Sequence, residues 1–295
     1  MSQHDAGRFT TILLHDYLGT NKTTANGNYS IYFCAAQGTY YLRAESKNDW
    51  ARAKNGGPVN LVEEKSWSFI TSGSGGTINK NLSWGTSERI NVVHHGTEIH
   101  DFFKESPFSY NGMDFRMEYL LTGDPNINGN ADPNGTKISF GAWEDEAWAE
   151  TSDIVYHEYT HQVVNDIYGG FIGDIITTLE ADAMDEGLSD FFAAAKNNDS
   201  KHGDGFSSEH QRDLINNYSF DNQQGAHWNG QVIGGALWDI RQNINTTTAH
   251  ELAFTALELT PNAFSFEDFG FNMVALDYSL NGGTNVSNIE DAFRS

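Results

Sequence analysis

His157-Glu158-Tyr159-Thr160-His161 decides how this chain is read. In a helix, residues four apart lie on one face a turn from each other, so the two imidazoles stand together. Two neutral imidazoles so placed can hold one zinc ion. The Glu158 carboxylate, one residue on, points to the side where a metal-bound water would stand. The flanks agree with a helix: Asp153 to Tyr156 and Gln162 to Tyr168 continue a buried helical pattern, Thr151 or Ser152 can cap its start, and Gly169-Gly170 ends it. The competing reading is a core helix whose histidines hydrogen-bond only to neighbours. The four-residue spacing together with the adjacent glutamate favours the metal.

A catalytic zinc needs a third protein ligand and one open position for water. A third histidine in the extended metzincin pattern would need Gly and His three and six residues beyond His161, where the chain has Val164 and Ile167. The ligand is therefore sought on a second helix. Thr177 to Phe192 opens with a capping-box pattern from Thr177 to Glu180 and runs on as helix through Ala195. Glu186 and Asp190 are four apart on it. Glu186 is assigned to zinc, and Asp190 to the free N–H of a ligand histidine. Leu188, Phe191 and Phe192 bury the helix near Asp190, whereas Asp182 and Asp185 read as a solvated face.

Together, His-Glu-Tyr-Thr-His and Glu-Gly-Leu-Ser-Asp-Phe-Phe resemble the thermolysin-like zinc peptidases (gluzincins), and the fungalysin branch especially. The 24 residues between His161 and Glu186 are closer to that branch's longer spacing. Asp153, four residues before His157, also fits the thermolysin pattern. Asn130 to Gly141 is similar to the family's edge strand, and the resemblance implies that Asn130 and Ala131 bind substrate backbone, an unpaired strand edge being a template for extended peptide. Without the family, Lys137 to Phe140 is a short alternating strand after an Asn/Gly/Pro-rich loop. Asp221 to Gly230 resembles the segment with a catalytic histidine and the aspartate that orients it, here His227 and Asp221. Val232, Ile233, Ala236, Leu237, Ile240 and Ile244 recur at helical intervals after it. Arg212 matches the substrate-binding arginine, although the stretch from there to His227 is shortened.

Two departures stand out. The carbonyl-polarising tyrosine of thermolysin aligns with Ile172, so that either Tyr168 substitutes or His227 acts alone. Where thermolysin has an acidic double calcium site, this chain has Lys196-Asn197-Asn198-Asp199, and Asp124 to Gly129 imitates only the first half of a calcium loop, with Gly135 where glutamate belongs. Ca2+ is thus an open secondary expectation beside Zn2+.

At 295 residues the chain can bury a large core and form two lobes. The resemblance implies an α+β, two-lobed thermolysin-like metallopeptidase. Residues 1–152 would form a β-rich N-terminal lobe with the substrate-binding edge strand, and 153–295 a mainly helical C-terminal lobe with the zinc site, the cleft lying between. Tyr29 to Phe33 and Gly38 to Leu42 read as paired strands, and Ile90 to Glu105 as a helix. Phe271 to Phe293 resembles the family's closing helices.

A net charge of −23 opposes encounters with nucleic acid or anionic membranes. No apolar run reaches membrane-span length, and Met1 to Asp5 has no signal-peptide pattern; secretion to the extracellular space is implied by the resemblance alone. The single Cys34 excludes an internal disulfide. The expected protein is a monomeric zinc endopeptidase acting on polypeptides, with large apolar P1′ residues implied by the family's pocket. The alternative is an inactive zinc-binding, peptide-recognising protein on the same fold. An aminopeptidase would need a Gly-x-Met-Glu-Asn-type segment, which the chain lacks.

Overall fold

The computed structural model describes residues 11–14, 20–22, 38–45, 51–53, 64–71, 88–114, 116–119, 132–134, 137–140, 142–143, 146–147, 149, 151–170, 178–203, 211–259 and 265–294. The chain divides into two compact units, one comprising 1–98, 116–132 and 137–150, the other 99–115, 133–136 and 151–295.

The first unit carries most of the strands. β1 (Thr11–Leu14), β2 (Thr20–Lys22), β3 (Gly38–Glu45) and β5 (Glu64–Thr71) form an antiparallel sheet in the order β2-β1-β3-β5. Its longest pairing runs from Gly38 opposite Thr71 to Glu45 opposite Glu64. The expected partner of Gly38 to Leu42 was Tyr29 to Phe33, which lies outside the described residues; the partners seen are β1 and β5. A second sheet has the order β4-β6-β8-β7, from Ala51–Ala53, Arg116–Tyr119, Lys137–Phe140 and Asp132–Asn134. Among the described strands, Lys137–Phe140 is therefore interior and Asp132–Asn134 is the edge. Pro133, which has no N–H to offer a neighbour, suits that edge position. Two short strands, β9 (Ala142–Trp143) and β10 (Glu146–Ala147), close a hairpin.

Helix α1 (Glu88–Lys104) passes from the first unit into the second. Among the described residues the second unit is mainly helical: α2 (Ser152–Tyr168), α3 (Leu179–Asn197), α4 (Ala226–Asn243), α5 (Thr246–Leu259), α6 (Phe266–Asn281) and α7 (Val286–Arg294), with a ribbon of β11 (Lys201–His202) and β12 (Arg212–Asp213). Thr151 is the N-cap of α2, and Gly169 ends it in the left-handed region at φ 76°, its N–H returned to the Asn165 carbonyl. Helix α3 begins one residue later than the capping-box pattern indicates. Thr178, not Thr177, is its cap and accepts the Ala181 N–H at 3.2 Å. Glu180 instead accepts the Phe266 N–H at 2.9 Å, tying the start of α3 to the start of α6.

Phe103, Phe108, Tyr159, Phe192 and Phe254 form one aromatic core with centroid spacings such as 5.2 Å for Phe108–Phe254 and 5.5 Å for Phe103–Phe192. It fixes α2 against α3 and α5. Helices α3 and α4 approach still more closely, because a Cβ at Gly187 would fall 2.3 Å from the Gly230 carbonyl oxygen, and one at Gly230 2.9 Å from the Gly187 nitrogen. The residue before Gly187 is Glu186, and Gly230 follows His227 by three. Two absent side chains therefore bring the start of α4 onto the acidic helix.

Candidate metal centre

Helix α2 presents His157 and His161 on one face as their spacing requires, with Nε2 atoms 2.9 Å apart. Glu186 of α3 closes the group, its Oε2 3.3 Å from His157 Nε2 and 3.8 Å from His161 Nε2. Tetrahedral zinc with bonds near 2.0–2.1 Å places its ligand atoms about 3.3 Å apart, so these three separations bracket what the ion needs. Glu186 Oε2 is buried without a hydrogen-bond partner, as an oxygen awaiting a cation would be.

Each ligand imidazole is backed by a carboxylate of α3. His157 Nδ1 lies 2.8 Å from Asp190 Oδ1, and His161 Nδ1 3.1 Å from Asp185 Oδ1. A partner on Nδ1 fixes the tautomer that leaves Nε2 free for metal. Asp185 thus corrects the sequence reading: it is 7% exposed and not on a solvated face, whereas Asp182 is exposed. Nothing local distinguishes the two, since only the packing of α2 across α3 decides which acid is covered.

Arg212 also takes a place its sequence context does not indicate. Its Nε donates to Asp190 Oδ2 and its Nη2 to Asp190 Oδ1, both at 2.7 Å, a bidentate pair with the carboxylate wholly buried. In the ribbon, His202 lies opposite Arg212. The His202 ring is 2% exposed, 4.9 Å from the His157 ring and 3.5 Å from Asp190 Oδ1. Sequence reasoning missed it, as no periodicity connects it to α2.

His157, Asp190 and His202 make a second possible metal group. Both Asp190 oxygens, however, are already held by the Arg212 guanidinium, whose charge would repel a cation there. Zinc on His157 Nε2 would also leave Nδ1 protonated toward Asp190. The two groups share His157, and the His157–His161–Glu186 set prevails.

The electrostatics point the same way. Burial disfavours charge on His161, but Asp185 and Glu186 outweigh it and push its pKa up to about 10. Burial likewise opposes ionisation of Glu186, yet His161, His157 and His227 pull its carboxyl down to about 2. Glu158 is half-buried, and that burial raises its carboxyl to about 7, where it can both take and release a proton near neutrality. Among the described residues, four carboxylates, Glu158, Asp185, Glu186 and Asp190, face one guanidinium, that of Arg212.

His227, in the first turn of α4, has its ring two-thirds exposed and its Nε2 3.4 Å from Glu186 Oε1. Burial of the rest of the ring lowers its pKa. Asp221 makes no contact with His227 among the described residues. Its carboxylate accepts the Gln223 N–H at 2.9 Å, and its backbone pairs with the Asn229 side chain at 2.8 and 3.0 Å, which shapes the turn into α4. Asn130, Ala131, Ile172 and the Asp124 to Gly129 loop lie outside the described residues. Tyr168 is buried two turns beyond His161, and burial with the Asp185 charge keeps its phenol protonated. In the Lys196 to Asp199 turn, Asn197 accepts from the Ser152 hydroxyl, Asn198 from Arg241 and Asp199 from the Lys201 N–H.

A buried His-Glu-x-x-His helix crossed by a second helix bearing glutamate is an arrangement able to hold a metal ion. Comparison with known proteins agrees. Residues 142–227 match the fungalysin metallopeptidase (M36) family. A solved structure described as the precursor of protealysin, a metalloproteinase from Serratia proteamaculans, superposes with a TM-score of 0.63 at 14% identity, covering 83% of this chain and 85% of that one. No curated protein matches. The family match and the shared fold bear out the resemblance to the thermolysin-like zinc metallopeptidases. A metallopeptidase acts on polypeptides with a bound metal, usually zinc. No helix among the described residues is long and apolar enough to cross a membrane.

Proposed function

We propose that the chain is a zinc-dependent endopeptidase. The observation that carries this reading is the convergence of His157 Nε2, His161 Nε2 and Glu186 Oε2, with Glu158 beside them. When bound, zinc would acidify a water toward a pKa of ~7 and polarise the substrate carbonyl. Glu158 takes the proton from the attacking water and passes it to the leaving amine, a task suited to its raised pKa. His227 donates from its exposed ring to the oxygen on which negative charge develops; its lowered pKa makes it a neutral N–H donor. Asp190 and Asp185 orient the ligand rings, and Arg212 holds Asp190, its role toward substrate being what the family resemblance implies.

The same reading includes the two-lobed thermolysin-like arrangement of residues 1–152 and 153–295, peptide binding along Asn130 and Ala131, large apolar P1′ residues, secretion and a monomer. Calcium at Lys196 to Asp199 has no place in it. The oxygens there already accept hydrogen bonds, and Arg241 supplies a cation.

Glu158→Gln tests the mechanism on a denatured protein substrate, with new termini identified by mass spectrometry. Zinc content should be unchanged and internal cleavage should fall at least ~100-fold. A variant as active as wild type overturns the role of Glu158. Bound zinc without any cutting by wild-type protein would mean a peptide-binding protein.

A further inference from the structure

Asp153 fits the family pattern but has no part in the chemistry above. It is a buried carboxylate with no ion pair among the described residues. Its place in the first turn of α2 suits an acid, because the helix start is the positive end of the macrodipole. There its Oδ2 accepts the N–H of Gly203, a buried backbone donor that would otherwise be stranded. Gly203 stands in the left-handed region at φ 78°, which glycine adopts without steric cost, and follows β11 directly. The end of β11 is thereby fastened to the start of α2.

From that fastening a closed circuit of contacts returns to α2. His202 precedes Gly203 and pairs with Arg212 across the ribbon. Arg212 grips both oxygens of Asp190, and Asp190 Oδ1 stands 2.8 Å from His157 Nδ1. Asp153 and His157 are four residues apart on α2, so the circuit begins and ends on one helix face. His202 is not the fastener: its ring lies near His157, but neither of its nitrogens has a hydrogen-bond partner among the described residues. On the other strand, Gln231 of α4 accepts the Asp213 N–H at 3.4 Å, a long bond that leaves the placing of β11 to Asp153. We propose that Asp153 is a positioning residue of the metal centre: by fixing Gly203 it holds the ribbon whose Arg212 grips Asp190, and so aims the His157 ring. The inference rests on the zinc endopeptidase reading.

Zinc affinity against a competing chelator, read together with the NMR signal of the His157 Nδ1–H beside Asp190, tests this on the full chain. Asp153→Ala should weaken zinc about five-fold, less than the roughly 10- to 100-fold of a group that touches a ligand directly, and should move the His157 signal. Asp153→Asn, which keeps an acceptor oxygen for Gly203, should recover most of both. In an Arg212→Lys background, where the two-pronged grip is already gone, Asp153→Ala should add little. Should Asp153→Ala fail to fold, Gly203→Ala leaves the carboxylate in place and disturbs the N–H through its left-handed φ, with the same two changes expected. Folded alanine variants with wild-type zinc affinity and an unmoved His157 signal overturn the role. So does added calcium that stabilises wild type but not Asp153→Asn, because Asp153 would then be a cation ligand. A wild-type protein that shows the dependence on Asp153 and cuts no peptide defeats the endopeptidase reading alone. If it takes up no zinc, the His157 signal still decides for or against Asp153.

Discussion

Two histidines of the helical unit are equally hidden from solvent and differ in nearly everything else. His161 is 7% exposed and His250 8%. Asp185 and Glu186 push the first up to about 10. Burial, with the Arg241 charge added, takes the second down to about 4. Loss of water disfavours the charged ring at both sites, so the partner decides the sign. His250 is a structural pin: neutral, stacked on Phe108, it accepts the Arg241 Nε–H at 3.1 Å. His161 stands where anionic groups outnumber cations, a condition that metal binding relieves.

The comparison can be broken most severely at Arg212, whose guanidinium is paired with Asp190 behind the candidate metal centre. Arg212→Ala leaves Asp190 charged, buried and unpaired, and should destabilise the protein by about 3–5 kcal/mol in urea unfolding. A loss below ~1 kcal/mol would mean that Asp190 finds another partner or takes up a proton. The next effect belongs to His250. Its folded pKa of about 4 lies below an unfolded value near 6.5, so the unfolded chain binds more protons between these limits. Its share of stability is complete above pH 6.5 and disappears as pH falls toward 4, amounting to about 3 kcal/mol. His250→Gln, which can still accept from Arg241, should flatten this acid limb in unfolding measured at pH 7 and 4.5; an unchanged slope would assign it elsewhere. The smallest effect is expected from Asp185→Asn, which keeps the shape beside His161 and removes the charge. Zinc affinity measured against a competing chelator should fall about 10- to 100-fold. Wild-type affinity would show that the Asp185 charge contributes nothing to the site.

The parts of the centre legible in the sequence are those governed by helical periodicity. His157 with His161 and Glu186 with Asp190 are pairs four apart, and both pairs fall where that spacing requires. Helix ends were nearly as readable, Gly169 stopping α2 as expected and α3 starting a single residue late. What could not be read depends on contacts between distant segments. The burial of Asp185 follows from α2 lying across α3. The hold of Arg212 on Asp190 and the approach of His202 to His157 follow from a ribbon that closes 22 and 45 residues away. The resemblance supplied Arg212 as a substrate contact but gave no sign of its carboxylate. Asp221 shows the reverse case, an expected partner of His227 that instead shapes the preceding turn.

The close approach of Gly187 and Gly230 has a consequence for how this chain can vary. Where helices meet through side chains, a change in one can be answered by a change in another. At these two positions the Gly230 carbonyl oxygen and the Gly187 nitrogen are among the nearest neighbours, and no substitution elsewhere can remove those backbone atoms. The reach from Glu186 to His227 is therefore inherited through two missing methyl groups, and a lineage that filled either one would have to set a different histidine beside Glu186.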